Sequence, residues 1–549
     1  MRDIVVISGR TCTGKSSLAH SLNKEFGFEV VKSRDVLRMA GGQALDRTGL
    51  QLFGDEQDRR SDCKWLSDHV EALDAARPRE IPFVVDNIRN LQQLLWFRTN
   101  RRWRVVHVHL YAKTTTLESR FAAKNHSCVC EDPGAYKSAD LIKNESDIEA
   151  FKRDADVRIW TTRSDPDDTL VRVAARLGLY ASPHFRCVDV VVGGQYGSEG
   201  KGHIAAYLAK EYDVLMRVGG PNAGHSVSSE SGLYTYHQLP SGAKDTTAQL
   251  LLGAGMTIRV PELLKEIADC GIATERLCID PQAMVIEDKD VAEEAGLVSS
   301  IASTGRGGGA AAARRIMGRR VGGVTLARDV DALRPYLGST LERLEEAYRN
   351  GKRVLLEGTQ GSGLSIFHGP YPYVTSRDTN VAGCLAEAGI SPTRVRKVLL
   401  VIRSTPIRVG NPDAGGSSGP LKYETTFAEV AKDAGIDPEE TTTFERTSTT
   451  KRPRRVGWFD WELFRRSCAI NAPTDIVLTF ADYLNGDNRK ARRFEQLDQE
   501  TIKFIEELEC VARAPVSLIN TRFPRNDGER LDLRTVIDRR HWPSQRVHG

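Results

Sequence analysis

The chain has 549 residues with a formal net charge of +4, 40% hydrophobic residues and 27% charged residues. These values are typical of a globular protein, and the near-neutral charge argues against a nucleic-acid or membrane partner. The ten cysteines lack the spacing of a disulfide framework, and no apolar run reaches the ~18 residues of a membrane helix. We therefore expect a cytoplasmic protein of about three or four domains, or fewer if its α/β units are large.

The first predicted strand, Ile4 to Ile7, leads directly into a phosphate-binding pattern. The segment Gly9-Arg-Thr-Cys-Thr-Gly-Lys-Ser16 matches the Walker A pattern in full, and a predicted helix follows it. In such a loop the backbone N–H groups surround the phosphates, the lysine reaches the β and γ phosphates, and the hydroxyl holds Mg²⁺. The pattern predicts a nucleotide site, with a loop that binds without turnover as the alternative; its residues are Gly9, Gly14, Lys15, Ser16 and Ser17.

Three charged side chains in the same region fit a small-molecule kinase. Asp35 lies where such kinases place an acid that faces the substrate, and Asp86 ends a predicted strand from which it could orient magnesium through water. The segment Asn87-Ile-Arg89 resembles its counterpart in nucleoside-monophosphate and dephospho-coenzyme A kinases. Arg120, on a predicted helix, is a candidate phosphate clamp. For each of these side chains a helix cap or a solvated surface position is the alternative.

A domain boundary is predicted near residue 183. The segment Gly178-Leu-Tyr-Ala-Ser-Pro-His184 follows a predicted helix and is rich in turn-forming residues. We therefore assign residues 1–183 to a P-loop kinase-like domain and residues 184–549 to a second domain.

The second domain opens with a strand, a glycine-rich loop and a helix. Val190 to Val192 is typical of a buried parallel strand, and helical spacing resumes from Ile204 to Lys210. The loop between them, Gly-Gln-Tyr-Gly-Ser-Glu-Gly-Lys-Gly at 194–202, contains glycines that permit tight turns and close backbone approach. This arrangement directs backbone N–H groups and a helix N-terminus at phosphate, and Lys201 adds a positive charge.

The loop at 194–202 resembles the signature loop of adenylosuccinate synthetases. Further segments resemble the other motifs of that family, in the same order: Asn222-Ala-Gly-His225, Ser303-Thr-Gly-Arg-Gly-Gly-Gly309, Glu357-Gly-Thr-Gln-Gly361, Tyr371-Pro-Tyr-Val-Thr-Ser376 and Thr449-Thr-Lys-Arg-Pro-Arg-Arg-Val-Gly-Trp458. The resemblance implies a mainly parallel sheet and a homodimer. It also implies a reaction in which a nucleoside triphosphate phosphorylates O6 of a 6-oxopurine nucleotide and the amine of L-aspartate then attacks C6.

The resemblance also implies roles for individual residues. His225 would donate to the charge that develops on O6, and the Gly224 carbonyl would hold Mg²⁺. Lys201 and Gln360 are the remaining catalytic candidates besides the loop position Ser198. The purine nucleotide would be held by Asn222, Thr304, Gln360 and Thr375, with Arg319 near an arginine that the family supplies across the dimer interface.

Two further groups of residues follow from the same resemblance. The L-aspartate carboxylates would be bound by a loop whose guanidinium pairs with two oxygens at once; its residues are Thr449, Thr450 and Arg452. The triphosphate donor would be bound by Gly197, Glu199, Gly200, Gly202, Gly224, Arg454 and Asp482.

Ser198 departs from the family, whose usual members carry an aspartate that removes the N1 proton and helps to bind Mg²⁺. A neutral hydroxyl neither accepts that proton well nor adds negative charge for the metal. Either the domain is a degraded paralogue or its substrate differs from inosine monophosphate. A phage branch that converts guanylate or deoxyguanylate into a 2-aminoadenine precursor resembles this chain at Ser198, and a short uncharged side chain leaves room for a 2-amino group. We favour GMP or dGMP, with IMP as the alternative.

The donor-base segment departs as well. The family recognises guanine with a Lys-x-Asp sequence, whereas this chain has Phe480-Ala-Asp482, and Asn520-Thr-Arg522 replaces the small loop that closes on the base. ATP or dATP therefore becomes an alternative to GTP. The sequence predicts an α/β chain of two units that uses Mg²⁺ and ATP or GTP. Two other hypotheses are a purine-nucleotide sensor without turnover and a kinase whose C-terminal half only scaffolds.

Overall fold

The computed structural model divides the chain into two compact units, Met1–Ala181 and Ser182–Gly549. Neither unit, within the ranges that are described, has a helix long and apolar enough to cross a membrane. The residues described are 1–42, 47–78, 81–125, 145–182, 185–229, 232–412, 415–445, 453–523 and 534–540.

The N-terminal unit is built on a five-stranded sheet in the order β2-β3-β1-β4-β5, in which every neighbouring pair is parallel. Its strands are β1 Arg2–Gly9, β2 Glu29–Lys32, β3 Phe83–Asp86, β4 Trp103–Tyr111 and β5 Val157–Trp160. Its helices are Lys15–Phe26, Ser33–Leu37, Arg47–Ser61, Trp65–Ala76, Leu91–Thr99, Thr114–Asn125, Glu145–Asp154 and Pro166–Leu177, with a π turn at Arg38–Gly42.

Alternation along β1 explains why helices cover both faces of this sheet. Ile4 and Val6 pack into one buried cluster, which includes side chains of the helices Trp65–Ala76 and Leu91–Thr99. Val5 and Ile7 point the other way, into a second cluster with the helices Lys15–Phe26 and Pro166–Leu177. Because successive side chains of a strand point to opposite faces, a strand that is apolar throughout must be covered on both sides.

The C-terminal unit contains a nine-stranded sheet in the order β12-β10-β7-β14-β6-β15-β19-β20-β21. All of its pairs are parallel except that of β20 with β21. These strands are β6 Val188–Gly193, β7 Val214–Arg217, β10 Gln249–Leu252, β12 Leu277–Ile279, β14 Val354–Gly361, β15 Val395–Arg403, β19 Asp475–Thr479, β20 Val516–Asn520 and β21 Val536–Asp538.

Smaller sheets and the helices surround this central sheet. The small-sheet strands are β8 His225–Ser229, β9 Gly232–Tyr236, β11 Thr257–Ile258, β13 Met284–Val285, β16 Ile407–Val409, β17 Glu424–Thr425 and β18 Arg454–Gly457. The helices are Lys201–Ala209, Val260–Asp269, Asp288–Glu293, Ala295–Ile301, Gly308–Met317, Thr340–Arg349, Val381–Ala388, Phe427–Ala434, Pro438–Phe444, Trp461–Asn471 and Gln499–Ala512. One face of the sheet shares a buried cluster with the helix Lys201–Ala209.

The predicted α/β class and the mainly parallel sheet are confirmed. Parallel strands bring their carboxyl ends to one edge of a sheet, where ligands bind in open α/β folds. In the N-terminal unit, β1 ends at the Walker A segment and β3 ends at Asp86. In the C-terminal unit, β6 runs into the glycine-rich loop and its neighbour β14 carries Glu357 and Gln360.

Candidate functional site

The glycine-rich loop after β6 is shaped from within by Glu199. Gly197, Ser198 and Gly200 have φ angles of 88°, 56° and 85°, in the left-handed region that few residues except glycine adopt readily. The buried Glu199 carboxylate accepts hydrogen bonds from the N–H groups of Gln195 at 3.0 Å and Gly197 at 2.8 Å. The ammonium of Lys201 donates to its other oxygen at 2.6 Å. Glu199 thus fixes the loop and holds Lys201.

Two glycines let the loop contact the neighbouring motifs. A Cβ atom on Gly202 would lie 2.5 Å from the Cβ of His225, and one on Gly361 would lie 2.2 Å from Glu199 Oε1. Real Cβ atoms do not approach this closely, so a larger residue at either position would displace its neighbour. These contacts place the signature loop directly against the motifs that contain His225 and Glu357.

His225, at the start of β8, is paired with Glu357 of β14. Its Nδ1 lies 2.5 Å from Glu357 Oε1, and both side chains are buried. Glu357 also accepts from Ser241, at 2.7 Å from the backbone N–H and 2.6 Å from the hydroxyl. This bond to Nδ1 directs the other ring nitrogen, Nε2, away from Glu357 and makes it the atom that can meet a ligand.

The charges around this pair keep Glu357 ionised. Burial alone would raise the pKa of Glu357, but His225, Arg217 and the hydrogen bonds outweigh it and lower the pKa to about 2. Burial, with the charge of Arg217 in the same direction, lowers the pKa of His225 to about 4, and Glu357 offsets only part of this shift. Three donors in the structure point at the Glu357 carboxylate, which is the arrangement that favours its ionised form.

The predicted purine-nucleotide residues take part in two contacts between separate motifs. Gln360 Nε2 donates to Thr375 Oγ1 at 2.9 Å. A Cβ on Gly308 would lie 3.3 Å from the Asn222 amide, which brings the second motif beside the N-terminus of the helix Gly308–Met317. Asn222 Oδ1 is buried and has no hydrogen-bond partner within the described part of the chain. Thr304 is half-buried in the segment before that helix.

Three further predicted residues are described, and three others are not. Ser198 is exposed, and Arg319 is exposed beyond the helix Gly308–Met317. The role of Arg319 across a dimer interface stays a prediction. Arg454 forms an ion pair with the buried Glu445 at 3.0 Å, and burial lowers its pKa. The predicted aspartate-binding residues lie outside the described residues; they are Thr449, Thr450 and Arg452.

The donor-base segment follows β19. Phe480 has a φ of 55°, and the guanidinium of Arg403 lies 3.8 Å from its ring centroid. Asp482 is 1% exposed and lies in the 3₁₀ turn Ala481–Tyr483. Burial raises the pKa of Asp482 to about 6 against the opposing charge of Arg489. A buried carboxylate at this end of a parallel strand is a candidate for contact with a nucleotide base.

In the N-terminal unit, the Walker A segment joins β1 to the helix Lys15–Phe26. A Cβ on Gly9 would lie 2.2 Å from the carbonyl oxygen of Leu110, so the close approach of β4 requires glycine there. Lys15 donates to the carbonyl oxygens of Gly9 at 2.9 Å and Arg10 at 2.8 Å. The Ser16 hydroxyl donates to Asp86 Oδ2 at 2.8 Å. Hydroxyl and carboxylate oxygens so placed are ligands that Mg²⁺ prefers.

A cavity of about 480 Å³ opens beside this segment. Its wall includes Ser17 and Arg120, whose guanidinium donates to the carbonyl oxygen of Thr161 at 2.6 Å and to its hydroxyl at 3.1 Å. The predicted clamp Arg120 thus lines the cavity beside the Walker A segment. Asp35 lies on the short helix Ser33–Leu37, 3.6 Å from Arg34, and its side chain is 45% exposed.

A family model described as adenylosuccinate synthetase matches residues 190–329 and 324–490, which together exceed half of the chain. The chain belongs to the adenylosuccinate synthetase family. Adenylosuccinate synthetases of Pyrococcus horikoshii and Methanococcus maripaludis are 37% and 38% identical to it over 361 and 354 residues. The matches cover 64% and 63% of this chain and 98% of each relative. The Ser182–Gly549 unit is therefore a ligase of this type, and we call it the synthetase unit.

Two solved structures resemble the synthetase unit. Succinoaminodeoxyadenylate synthetase of cyanophage S-2L, bound to dGMP and to dATP as an energy donor, has 28% identity and a TM-score of 0.53. The match covers 64% of this chain and 95% of that one. Fully ligated adenylosuccinate synthetase of Plasmodium falciparum, at 23% identity and a TM-score of 0.56, covers 65% of this chain and 100% of its own and supports the fold.

Sequence reasoning missed two residues of the synthetase unit. Glu357 stood in a quoted motif, but its role depends on a contact with a histidine 132 positions away. Arg489 carries no sequence signal of its own and is found only through its ion pair with Asp482. Within the described ranges no three His, Cys, Asp or Glu side chains cluster as metal ligands.

Proposed function

We propose that the synthetase unit joins L-aspartate to C6 of GMP or dGMP. The observation that carries this proposal is Ser198, an exposed neutral residue at the turn of the signature loop. The dGMP bound to the cyanophage enzyme supports the same substrate class. The first step transfers the γ-phosphoryl group of the donor to O6 and releases the nucleoside diphosphate. In the second, the aspartate amine attacks C6, the C6–O6 bond breaks and inorganic phosphate leaves.

The residues of the chain divide these steps between them. Burial favours neutral His225, but ionised Glu357 and the negative charge of the bound phosphates favour its protonated form, so that Nε2–H donates to the charge developing on O6. Lys201, held by Glu199, lies in the phosphate-binding loop. The N1 proton leaves to water beside exposed Ser198, whose neutral hydroxyl stands where the family carries an aspartate. The Gly224 carbonyl would hold Mg²⁺, which would supply positive charge to neutralise the transferring phosphoryl group.

Substrate choice can be tested at Ser198. We expect GMP or dGMP to form the aspartate adduct faster than IMP, and Ser198→Asp to shift the preference toward IMP because it restores a base beside N1. Ser198→Asn is the matched control, since it has the shape of aspartate without the charge and also tolerates a left-handed φ. The measurement is mass-spectrometric detection of the adduct with each nucleotide. Turnover of IMP by the unmodified protein at a rate equal to or above that of GMP and dGMP would contradict the guanylate proposal.

We propose ATP or dATP as the donor. Phe480 replaces the lysine of the family and cannot hydrogen-bond the carbonyl oxygen of guanine. We therefore expect ATP or dATP to support ligation at least as well as GTP, measured as kcat/KM for each donor at saturating L-aspartate. A strong requirement for GTP would show that other residues contact the guanine.

For the N-terminal unit we propose phosphoryl transfer to a nucleoside monophosphate. The contact between Ser16 and Asp86 supports it, because it brings a hydroxyl and a carboxylate, the oxygen ligands that Mg²⁺ prefers, together at the Walker A segment. In this proposal residues 1–183 and 184–549 are separate catalytic domains. A sensor that binds purine nucleotides without turnover would show binding in both units and no product in either assay.

A further inference from the structure

The ion pair between Asp482 of the donor-base segment and Arg489 has two atoms without a hydrogen-bond partner among the described residues. Asp482 Oδ2 accepts from Arg489 Nε at 3.1 Å, and Arg489 Nη1 donates to Glu440 Oε2 at the same distance. Asp482 Oδ1 and Arg489 Nη2 are both buried, and neither finds a hydrogen-bond partner among the residues that the structure describes. Since buried polar atoms in folded proteins are nearly always bonded, an acceptor and a donor left over on one pair point to an absent ligand.

The position of this ion pair indicates which part of a nucleotide would contact it. The hydroxyl of Thr479, at the end of β19, donates to the carbonyl oxygen of Glu199 at 2.7 Å. A Cβ on Gly200 would lie 3.6 Å from the Phe480 ring. The phosphate-binding loop and the segment that leads to Asp482 are therefore in contact. A nucleotide whose phosphates lie in that loop would have its base beyond it, toward Asp482.

We propose that Arg489 determines the choice of donor, and that Asp482 and Arg489 together bind the Watson–Crick edge of adenine. Asp482 Oδ1 accepts from the 6-amino group, and Arg489 Nη2 donates to N1. Guanine fits this pair less well, because its N1–H and 2-amino groups are adjacent donors that need both carboxylate oxygens. Arg489 already occupies one of them. The inference rests on the proposed use of a triphosphate donor by the synthetase unit.

Donor analogues combined with one substitution test this inference. In 1-deaza-ATP a C–H replaces N1, and we expect the unmodified protein to show a KM about 10–100-fold above that for ATP, the loss expected for one charged hydrogen bond. Arg489→Met should raise the KM for ATP by about the same factor with little change in kcat. It should also abolish the difference between ATP and 1-deaza-ATP, which a purely structural role of Arg489 would leave intact.

The controls separate recognition from folding. Arg493→Met makes the same change at an exposed position four residues away and should leave all donor constants unchanged. Thermal melts check the fold of each variant. If Arg489→Met does not fold, the KM values of the unmodified protein for ATP and 1-deaza-ATP still test whether N1 accepts a hydrogen bond. Equal use of ATP and 1-deaza-ATP, or undiminished discrimination in folded Arg489→Met, would overturn the inference.

A second readout works even if ligation fails. If no donor yields an aspartate adduct, the proposed function is wrong, and photolabelling with 8-azido-ATP then tests the site directly. Peptide mapping distinguishes label in the synthetase unit from label in the Walker A unit. We expect label on peptides spanning 480–489 that Arg489→Met strongly reduces. Label in that unit that Arg489→Met leaves unchanged, or that lies wholly elsewhere, would contradict the inference.

Discussion

Replacing His225 with alanine should lower the rate of aspartate ligation by about 10²–10⁴-fold, the usual contribution of a general acid. The reason lies in its pairing: Glu357 accepts from Nδ1 at 2.5 Å, so Nε2 is the nitrogen that can donate to O6. Alanine removes that donor and leaves the Glu357 carboxylate buried. Steady-state rates of both reactions measure the effect, and phosphoryl transfer by the N-terminal unit should stay within a few-fold of normal.

Two variants separate the chemistry of His225 from its packing. His368→Ala removes an exposed histidine of the same unit and should change neither reaction. Glu357→Gln keeps the shape of the partner but removes its charge, so it should weaken protonation of His225 and move the alkaline limb of the ligation pH profile to lower pH. Near-normal ligation by a folded His225→Ala protein would contradict the proposed general acid.

The fold was predictable where local patterns are strong. The apolar runs in β1 and β6 predicted strands, and that of β6 a buried parallel one. The glycine loops that follow them predicted the strand-to-helix turns that the structure shows. Such features depend on neighbours in sequence. The predicted ends of the helices and strands were less accurate, since the helix after β6 begins at Lys201 rather than near Ile204. Backbone hydrogen bonding, which periodicity does not report, sets those ends.

The site was predictable only in part, because local sequence does not determine the direction of side chains or the pairing of residues that are distant in the chain. Glu199 was expected at the nucleotide, yet its carboxylate turns inward to the loop's own N–H groups. The pairing of Gln360 with Thr375 agrees with a shared pocket, although their roles stay predictions. Arg489 could be recognised only in the structure, where the folded turn brings it to Asp482.

Replacing Lys15 with alanine should abolish phosphoryl transfer to a monophosphate acceptor and leave aspartate ligation within a few-fold of normal. Lys15 lies in the Walker A segment, where it donates to Gly9 and Arg10, and a lysine there neutralises the β and γ phosphates. The synthetase unit has its own lysine, Lys201, held by Glu199 at 2.6 Å. Two loops, each with its own lysine, predict two independent nucleotide sites.

The matched control for this variant is Lys24→Ala, which removes an exposed lysine from the same helix and should affect neither reaction. Rates of both reactions are compared for each folded variant, with monophosphate and aspartate assays run separately. Since a monophosphate made by the synthetase unit would be a natural acceptor for a kinase, the two activities could be linked in sequence without sharing a site. If folded Lys15→Ala loses ligation while Lys24→Ala retains it, the N-terminal site takes part in the synthetase mechanism or its regulation, and the chain is not two separate enzymes.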